Sequence, residues 1–304
     1  MTLEQLRIFV AVAEHEHMTR AAEALHLTQS AVSGAIAALE ARHGVRLFDR
    51  IGRNIELNSI GRGFLLDARA VLSQAAAAEA TLEDLSLLRR GRISIHASQT
   101  IASYWLPRRL SAFHIAYPEV ELELRIGNTQ QAADAVRGGT ADLGYVEGEL
   151  DDPLLEAETV GEDRLVLLVK ADHPWARRAQ IGPAELVAQT WVAREAGSGT
   201  RSSLEAGLRA VGVNPAALKL AFTLPSNEAV LAAAEAGAGA AALSESVAAF
   251  ALASGSLVKV RFQLPSRAYR LLRHKARYRT RASEAFVAVA QADRSPEPID
   301  SYQI

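Results

Sequence analysis

Residues 18–53, MTRAAEALHLTQSAVSGAIAALEARHGVRLFDRIGR, hold two short helical patterns, a tight break and an arginine-bearing hairpin, an order that leaves few folds open. Thr19 can cap a helix whose apolar positions are Ala21, Ala22 and Leu25, and His26-Leu27 makes the break. Thr28 then caps a second helix anchored by Val32, Ile36 and Leu39 at spacings of four and three. With these three inward at about 100° per residue, Ser30, Gly34, Ala37 and Ala41 face outward, Ser33 lies beside them and Gln29 occupies the exposed first turn. Such an outward face of small and amide side chains fits a helix pressed into a major groove. Residues 49–54, DRIGRN, follow as a Gly/Asn turn between Leu47-Phe48 and residues 55–57. Taken alone, the segment also fits an ordinary surface helix-turn-helix of a helical domain.

Charge does not choose between these readings. The chain carries a net charge of −2, and in its first domain Arg7, Arg20, Arg42, Arg46, Arg50 and Arg53 are outnumbered by Glu4, Glu14, Glu16, Glu23, Glu40, Asp49 and Glu56. Placement is more informative, because four of those six arginines fall between Arg42 and Arg53, where phosphates flanking a groove would sit. Before them, Thr2 and Gln5 have capping-box spacing, and Leu3, Leu6, Val10 and Ala13 form an apolar stripe expected to be core. His15-Glu16-His17 is not read as a metal pair, since alternate residues at a helix end do not share a face.

The run LTQSAVSGAIAALEARHGVRLFDRIGR, with LEQLRIFVAVAEHEHMTRAAEAL before it and LNSIGRGFLL after it, resembles the N-terminal domain of LysR-type transcriptional regulators. That resemblance continues over residues 2 to about 292. It implies an α/β chain in three parts: a winged helix-turn-helix DNA-binding domain over residues 1–58, a long linker and dimerisation helix over 59–90, and a two-lobed effector domain like periplasmic binding proteins over 91–304. Lobe I would span about 91–161 and 268–292, and lobe II about 162–267. By position, Thr28, Gln29, Ser30, Ser33 and Gly34 belong to the reading helix, and Arg50 and Arg53 inherit backbone or minor-groove contacts as the wing. Gly34 departs from the family, which often carries a larger side chain, frequently arginine, at that place. The implied partners are double-stranded promoter DNA, a second copy in a homodimer or homotetramer, and RNA polymerase.

The linker pattern supports pairing on its own terms. Leu65, Ala68, Leu72, Ala75 or Ala76, Leu82, Leu85 and Leu88 recur at three-and-four spacing over about 45 Å of helix, with Glu79 as an imperfection. A stripe this long suits a second copy, and the alternative is a helix packed on its own domain.

From Arg92 onward strand and helix patterns alternate: strands near 93–97, 120–126, 141–146, 165–170, 191–194, 218–222 and 240–243, and helices near 107–117, 129–137, 201–211 and 228–236. Polar residues cluster at the helix starts, namely Ser98 and Thr100, Asn128 and Thr129, Ser198 and Thr200 before Arg201, and Asn227. Free N–H groups and the positive dipole end at such starts suit an anion, although each residue alone is equally a cap. In the family these loops surround a ligand between the lobes. The motifs GNTQQ, YVEG and REAGSGTR look like the branch that includes regulators of carbon fixation and of sulfur-anion metabolism. The expected effector is therefore a small anionic metabolite or inorganic oxyanion, with Arg201 supplying positive charge. Glu147 and Glu195 near the same cleft would meet a hydroxyl, a protonated ligand or Arg201. His96 is expected to be a satisfied strand residue.

No enzyme reading acquires a residue. Around Ser198 the glycines of a nucleophile elbow are replaced by Ala196 and Thr200, and the loose dinucleotide pattern at 237–242 leads from helix to strand, the reverse of what a pyrophosphate needs. Zero cysteines exclude disulfides and thiolate chemistry. Neither a membrane span nor a signal peptide is read, so no cofactor and no membrane are expected and the chain should be cytoplasmic. The competing class is a plain solute-binding module, which would need an export signal and no DNA-binding domain.

Overall fold

A computed structural model describes residues 1–51, 54–84 and 91–292. Two compact units divide the chain, Met1–Leu87 with Arg137–Thr140, and Leu88–Val136 with Ala141–Ile304. Among the described residues no helix is long and apolar enough to cross a membrane.

In the first unit, α1 (Leu3–His15) opens with the expected capping box: the Gln5 amide donates to Thr2 Oγ1 at 3.1 Å and the Thr2 amide to Gln5 Oε1 at 3.0 Å. Its buried face runs through Leu6, Phe9 and Val12, with Leu3 exposed and Val10 and Ala13 half-buried, which corrects the expected stripe. Phe9 sets that face by packing against Phe48 and Phe64, with ring centroids 5.6 and 5.0 Å away. Helix α2 (Met18–Ala24) is capped by His17 instead of Thr19, since His17 Nδ1 accepts from the amides of Thr19 and Arg20. His26 then takes a left-handed φ of 55° in the break. Helix α3 (Gln29–His43) buries Val32, Ile36 and Leu39 as expected and ends on left-handed Gly44. Strands β1 (Phe48–Ile51) and β2 (Asn54–Leu57) pair antiparallel, and Asn58 caps α4 (Ser59–Asp84) by accepting from the Gly61 amide at 2.9 Å.

The first half of the α4 stripe is not free for a second copy. Ala68 is buried, and Phe64, Leu65 and Leu72 pack on the same core as Leu6 and Phe9. Ile60, Leu66 and Val71 are the apolar residues that α4 leaves exposed. Leu85 and Leu88 lie outside the described residues, as does the end of the expected linker.

The second unit runs β3 (Gly91–Ser98), a π-helical turn at Ile101–Trp105, α5 (Leu106–Ala116), β4 (Val120–Gly127), α6 (Thr129–Gly138), β5 (Leu143–Glu147), β6 (Leu155–Lys170), α7 (Pro183–Ala188), β7 (Thr190–Arg194), α8 (Gly199–Ala210), β8 (Lys219–Leu224), α9 (Asn227–Glu235), β9 (Ala241–Ser244), α10 (Glu245–Ser254), β10 (Leu257–Lys259), β11 (Ser266–His274) and α11 (Arg281–Ala292). Strand order is β10-β6-β11-β5-β3-β4, with β9 also on β6 and β7 parallel to β8. One core gathers Ile93, Ile95, Trp105, Phe113, Tyr145 and Phe286, and another gathers Leu165, Leu167, Trp175, Trp191, Leu204 and Leu208. These cores mark two lobes, and β6 and β11 pass through both. Sequence patterning gave β6 only from 165 and missed β11, because both strands carry charge at alternate positions. Arg273, for instance, pairs with Glu158 at 2.8 Å and with Glu284 at 3.2 Å.

Candidate functional site

On α3, Thr28, Gln29, Ser30 and Gly34 are exposed and Ser33 is half-buried. Thr28 Oγ1 accepts from the Ala31 amide at 3.3 Å and lies 3.1 Å from Ser30 Oγ, so these two hydroxyls hold each other at the exposed N-terminal turn. Glu40 lay outside the sequence reading, yet its carboxylate accepts from the amides of Leu47 and Phe48 and so ties α3 to the hairpin. Arg50 lies on β1 opposite Ile55, and Arg53 falls outside the described residues.

Two helical glycines here predict opposite outcomes. A Cβ on Gly34 would meet nothing within 4 Å, whereas one on Gly61 would come within 2.7 Å of Leu57 Cδ1 and closer still to the Leu47 carbonyl. Gly34→Ala should stabilise the fold by about 1 kcal/mol while lowering affinity for the operator, if glycine serves close approach to a groove. Gly61→Ala should destabilise by about 1–3 kcal/mol through overpacking. Urea unfolding and operator titration measure both, and a Gly34→Ala protein that is more stable and binds equally well would end the close-approach idea.

In the second unit the polar helix starts converge between the lobes. Ser98, Thr100, Thr129, Glu147, Ser198, Thr200 and Asn227 are all buried. Asn227 Nδ2 donates across the lobes to Thr100 Oγ1 at 3.0 Å, and the Asn227 amide donates to Gln99 Oε1 at 2.7 Å. Asn128 accepts from the Gln131 amide as the cap of α6 and donates to Glu195 Oε1 at 3.1 Å, while the Gln130 amide donates to the Gly197 carbonyl at 3.1 Å. Thr129 Oγ1 donates to the Glu147 carbonyl at 3.4 Å. The first residue of α8 lies against this pair so closely that a Cβ on Gly199 would come within 2.6 Å of the Glu147 carbonyl oxygen. Ser98 Oγ is buried with no hydrogen bond among the described residues.

The cations at the cleft are not the expected one. Arg201 gives its Nε to Glu205 at 2.6 Å, one turn along α8, and its Nη1 to the Arg194 carbonyl. Arg194 and Arg267, neither singled out by the sequence, are buried there instead. Arg194 holds Glu195 with two nitrogens, at 2.8 and 3.0 Å, and Asn227 Oδ1 with the third at 2.5 Å. Burial pushes the Glu195 carboxyl up, but bonds from Arg194, its own backbone and Asn128 outweigh it and hold the group below the usual carboxylate range. Arg267 donates to Asp163 and to Thr200 Oγ1. His96 corrects the expectation of a satisfied strand residue, because its Nε2 is buried without a hydrogen bond among the described residues. Burial first and Arg125 second push its imidazole below the ordinary value, which favours the neutral form.

Comparison with known proteins covers both units. Residues 3–62 match the family described as "Bacterial regulatory helix-turn-helix protein, lysR family" and residues 87–294 match "LysR substrate binding domain". The HTH-type transcriptional regulator YeiE of Escherichia coli K12, described as uncharacterized, is 35% identical over 87% of this chain and 88% of its own length. CysL of Bacillus subtilis, also an HTH-type transcriptional regulator, is 34% identical over 81% of this chain and 82% of its own. A probable RuBisCO transcriptional regulator of Trichormus variabilis is 32% identical over 94% and 86%. Among solved structures, full-length CbnR complexed with its target DNA aligns at a TM-score of 0.65 with 25% identity, over 96% of this chain and 99% of that one. The regulatory domain of CcmR from Synechocystis PCC6803, in complex with 2-PG, aligns at 0.59 with 24% identity, over 67% and 97%.

Proposed function

The chain belongs to the LysR family of DNA-binding transcriptional regulators, and from this premise we propose that its interlobe cleft takes a small anionic effector that alters how the protein binds promoter DNA. Relatives named for RuBisCO regulation and as CysL place the chain in the branch recognised from its motifs, and they support a regulator and not an enzyme. The observation that carries the effector reading is the convergence of helix starts on one cleft, with Ser98 Oγ buried and unpartnered beside them. Free amides at those starts favour an oxyanion. Arg194 and Arg267 offer guanidinium groups to it, in competition with Glu195, Asp163 and Glu147. A hydroxyl on the same ligand suits the Glu147 carboxylate.

The active assembly is at least a homodimer, joined through the exposed part of the linker stripe, and it extends to a tetramer. It acts in the cytoplasm on double-stranded promoter DNA, contacts RNA polymerase, and requires no cofactor. A divergently transcribed neighbour of its own gene is the first target to examine. Two-fold protein symmetry then sets two-fold operators.

Thr100→Val and Thr129→Val test the cleft. Each removes a hydroxyl that bonds across or along it, which should cost about 1 kcal/mol of stability, while loss of a charge-assisted ligand contact should cost about 1.5–3 kcal/mol of binding. Calorimetry against sulfite, sulfate, thiosulfate, phosphorylated sugars and small carboxylates should find a ligand for the wild type that both variants bind much more weakly, with basal operator binding retained. A ligand that binds all three proteins equally places the site elsewhere, and binding of only a neutral or cationic metabolite rejects the anion.

A further inference from the structure

We propose that Arg267 is the positioning residue that holds the two lobes closed; its regulatory meaning rests on the cleft being the effector site, but the closure itself does not. Arg267 on β11 faces Asp163 on β6 in register, on the two strands that pass through both lobes. Their side chains are 2% and 4% exposed. Two guanidinium nitrogens, Nε at 2.7 Å and Nη2, converge on Asp163 Oδ2, and Oδ1 accepts from Ser244 Oγ at 2.7 Å at the end of β9. The remaining nitrogen, Nη1, donates to Thr200 Oγ1 at 3.0 Å in the first turn of α8. Glu147 Oε1, at the end of β5 in the other lobe, lies 3.9 Å from Nη2. One side chain therefore touches the crossing strands, one lobe through Thr200 and the other through Glu147.

The planar fork makes this possible, because it can serve a carboxylate with one edge and a hydroxyl with the other, as a lysine cannot. The ladder shifts register between Tyr269 and Arg270, a bulge of the kind that lets a strand bend beside the fork. Opening the lobes would draw Thr200 and Glu147 away from Arg267 in opposite directions and leave a buried donor unmade. Closure and the guanidinium's set of partners are thus one event, so a ligand that takes the Thr200 hydroxyl or replaces Glu147 resets both.

Hydrogen exchange on the full chain, with no ligand added, tests this. The Gln130 amide, bonded across the lobes to Gly197, reports closure. Thr200→Val removes one partner and leaves the ion pair, Arg267→Lys keeps the charge without the fork, and Gly199→Ala wedges the lobes apart as a positive control. In Thr200→Val and Arg267→Lys, Gln130 should exchange about three- to tenfold faster than in wild type, with the amides of Ile95 and Leu167 inside each lobe unchanged. Unchanged Gln130 exchange in both variants overturns the proposal. So does a uniform rise that includes Ile95 and Leu167, which would make Arg267 a purely structural residue. Because no ligand is present, a failed search for the anion leaves this result standing.

Discussion

Alanine at both Arg50 and Arg53 is expected to weaken binding to every duplex by about two orders of magnitude at low salt, because two charge-assisted contacts at about 1.5 kcal/mol each would be lost. The slope of log affinity against log salt should become shallower by up to about two charges, with little change in preference among sequences. The reasoning is one of placement. This domain has more acidic than basic residues, so it cannot attract DNA by bulk charge, and four of its six arginines lie between Arg42 and Arg53. Filter binding or anisotropy across a salt series measures the slope, and an unchanged slope would take both arginines off the DNA.

Replacing Arg194 with methionine should have the largest effect on the effector domain. Its guanidinium is 4% exposed and serves Glu195 and Asn227 together, so its loss strands a half-buried carboxylate and frees the amide that reaches Thr100. Breaking such a pair costs about 3 kcal/mol or somewhat less here, since Glu195 keeps a quarter of its side chain in solvent. The penalty should depend on pH. Glu195 ionises more readily in the folded protein than in the unfolded one, so its contribution is complete above the ordinary glutamate pKa and disappears as pH falls through the lower folded value. Urea unfolding should therefore show the full gap between wild type and Arg194→Met near neutrality and a narrower one in acid. A gap independent of pH would mean that lost packing, and not the ion pair, accounts for the cost.

These two predictions draw on different layers of legibility. Local signals were readable: Thr28 followed by Val32, Ile36 and Leu39 fixes α3 because a cap and a 3.6-residue period act within one helix. His17 escaped notice because an imidazole is an uncommon cap, although its lone pair serves two amides as a threonine would. Small polar residues at helix starts were found since capping and ligand binding ask for the same side chains. The cleft's arginines were not, because Arg267 and Asp163 stand 104 residues apart in sequence and meet only when β6 pairs with β11. Arg201 looked like the cation because it is adjacent to the helix start, yet Glu205 lies one turn away and pairs with it. The linker stripe misled for a related reason: period identifies an apolar face, while the partner that covers Ala68 and Leu65 is set by tertiary packing against α1.

The central claim is coupling, that a small molecule in the cleft changes the DNA-bound arrangement through its unequal affinity for two states. Footprinting of the full chain on the intergenic DNA beside its own gene, with and without the ligand found by calorimetry, tests this most directly. The account predicts a changed footprint length or a shifted hypersensitive site at ligand saturation, the change being lost in Thr100→Val and Thr129→Val. An identical footprint and identical operator affinity with the ligand bound and absent would contradict it.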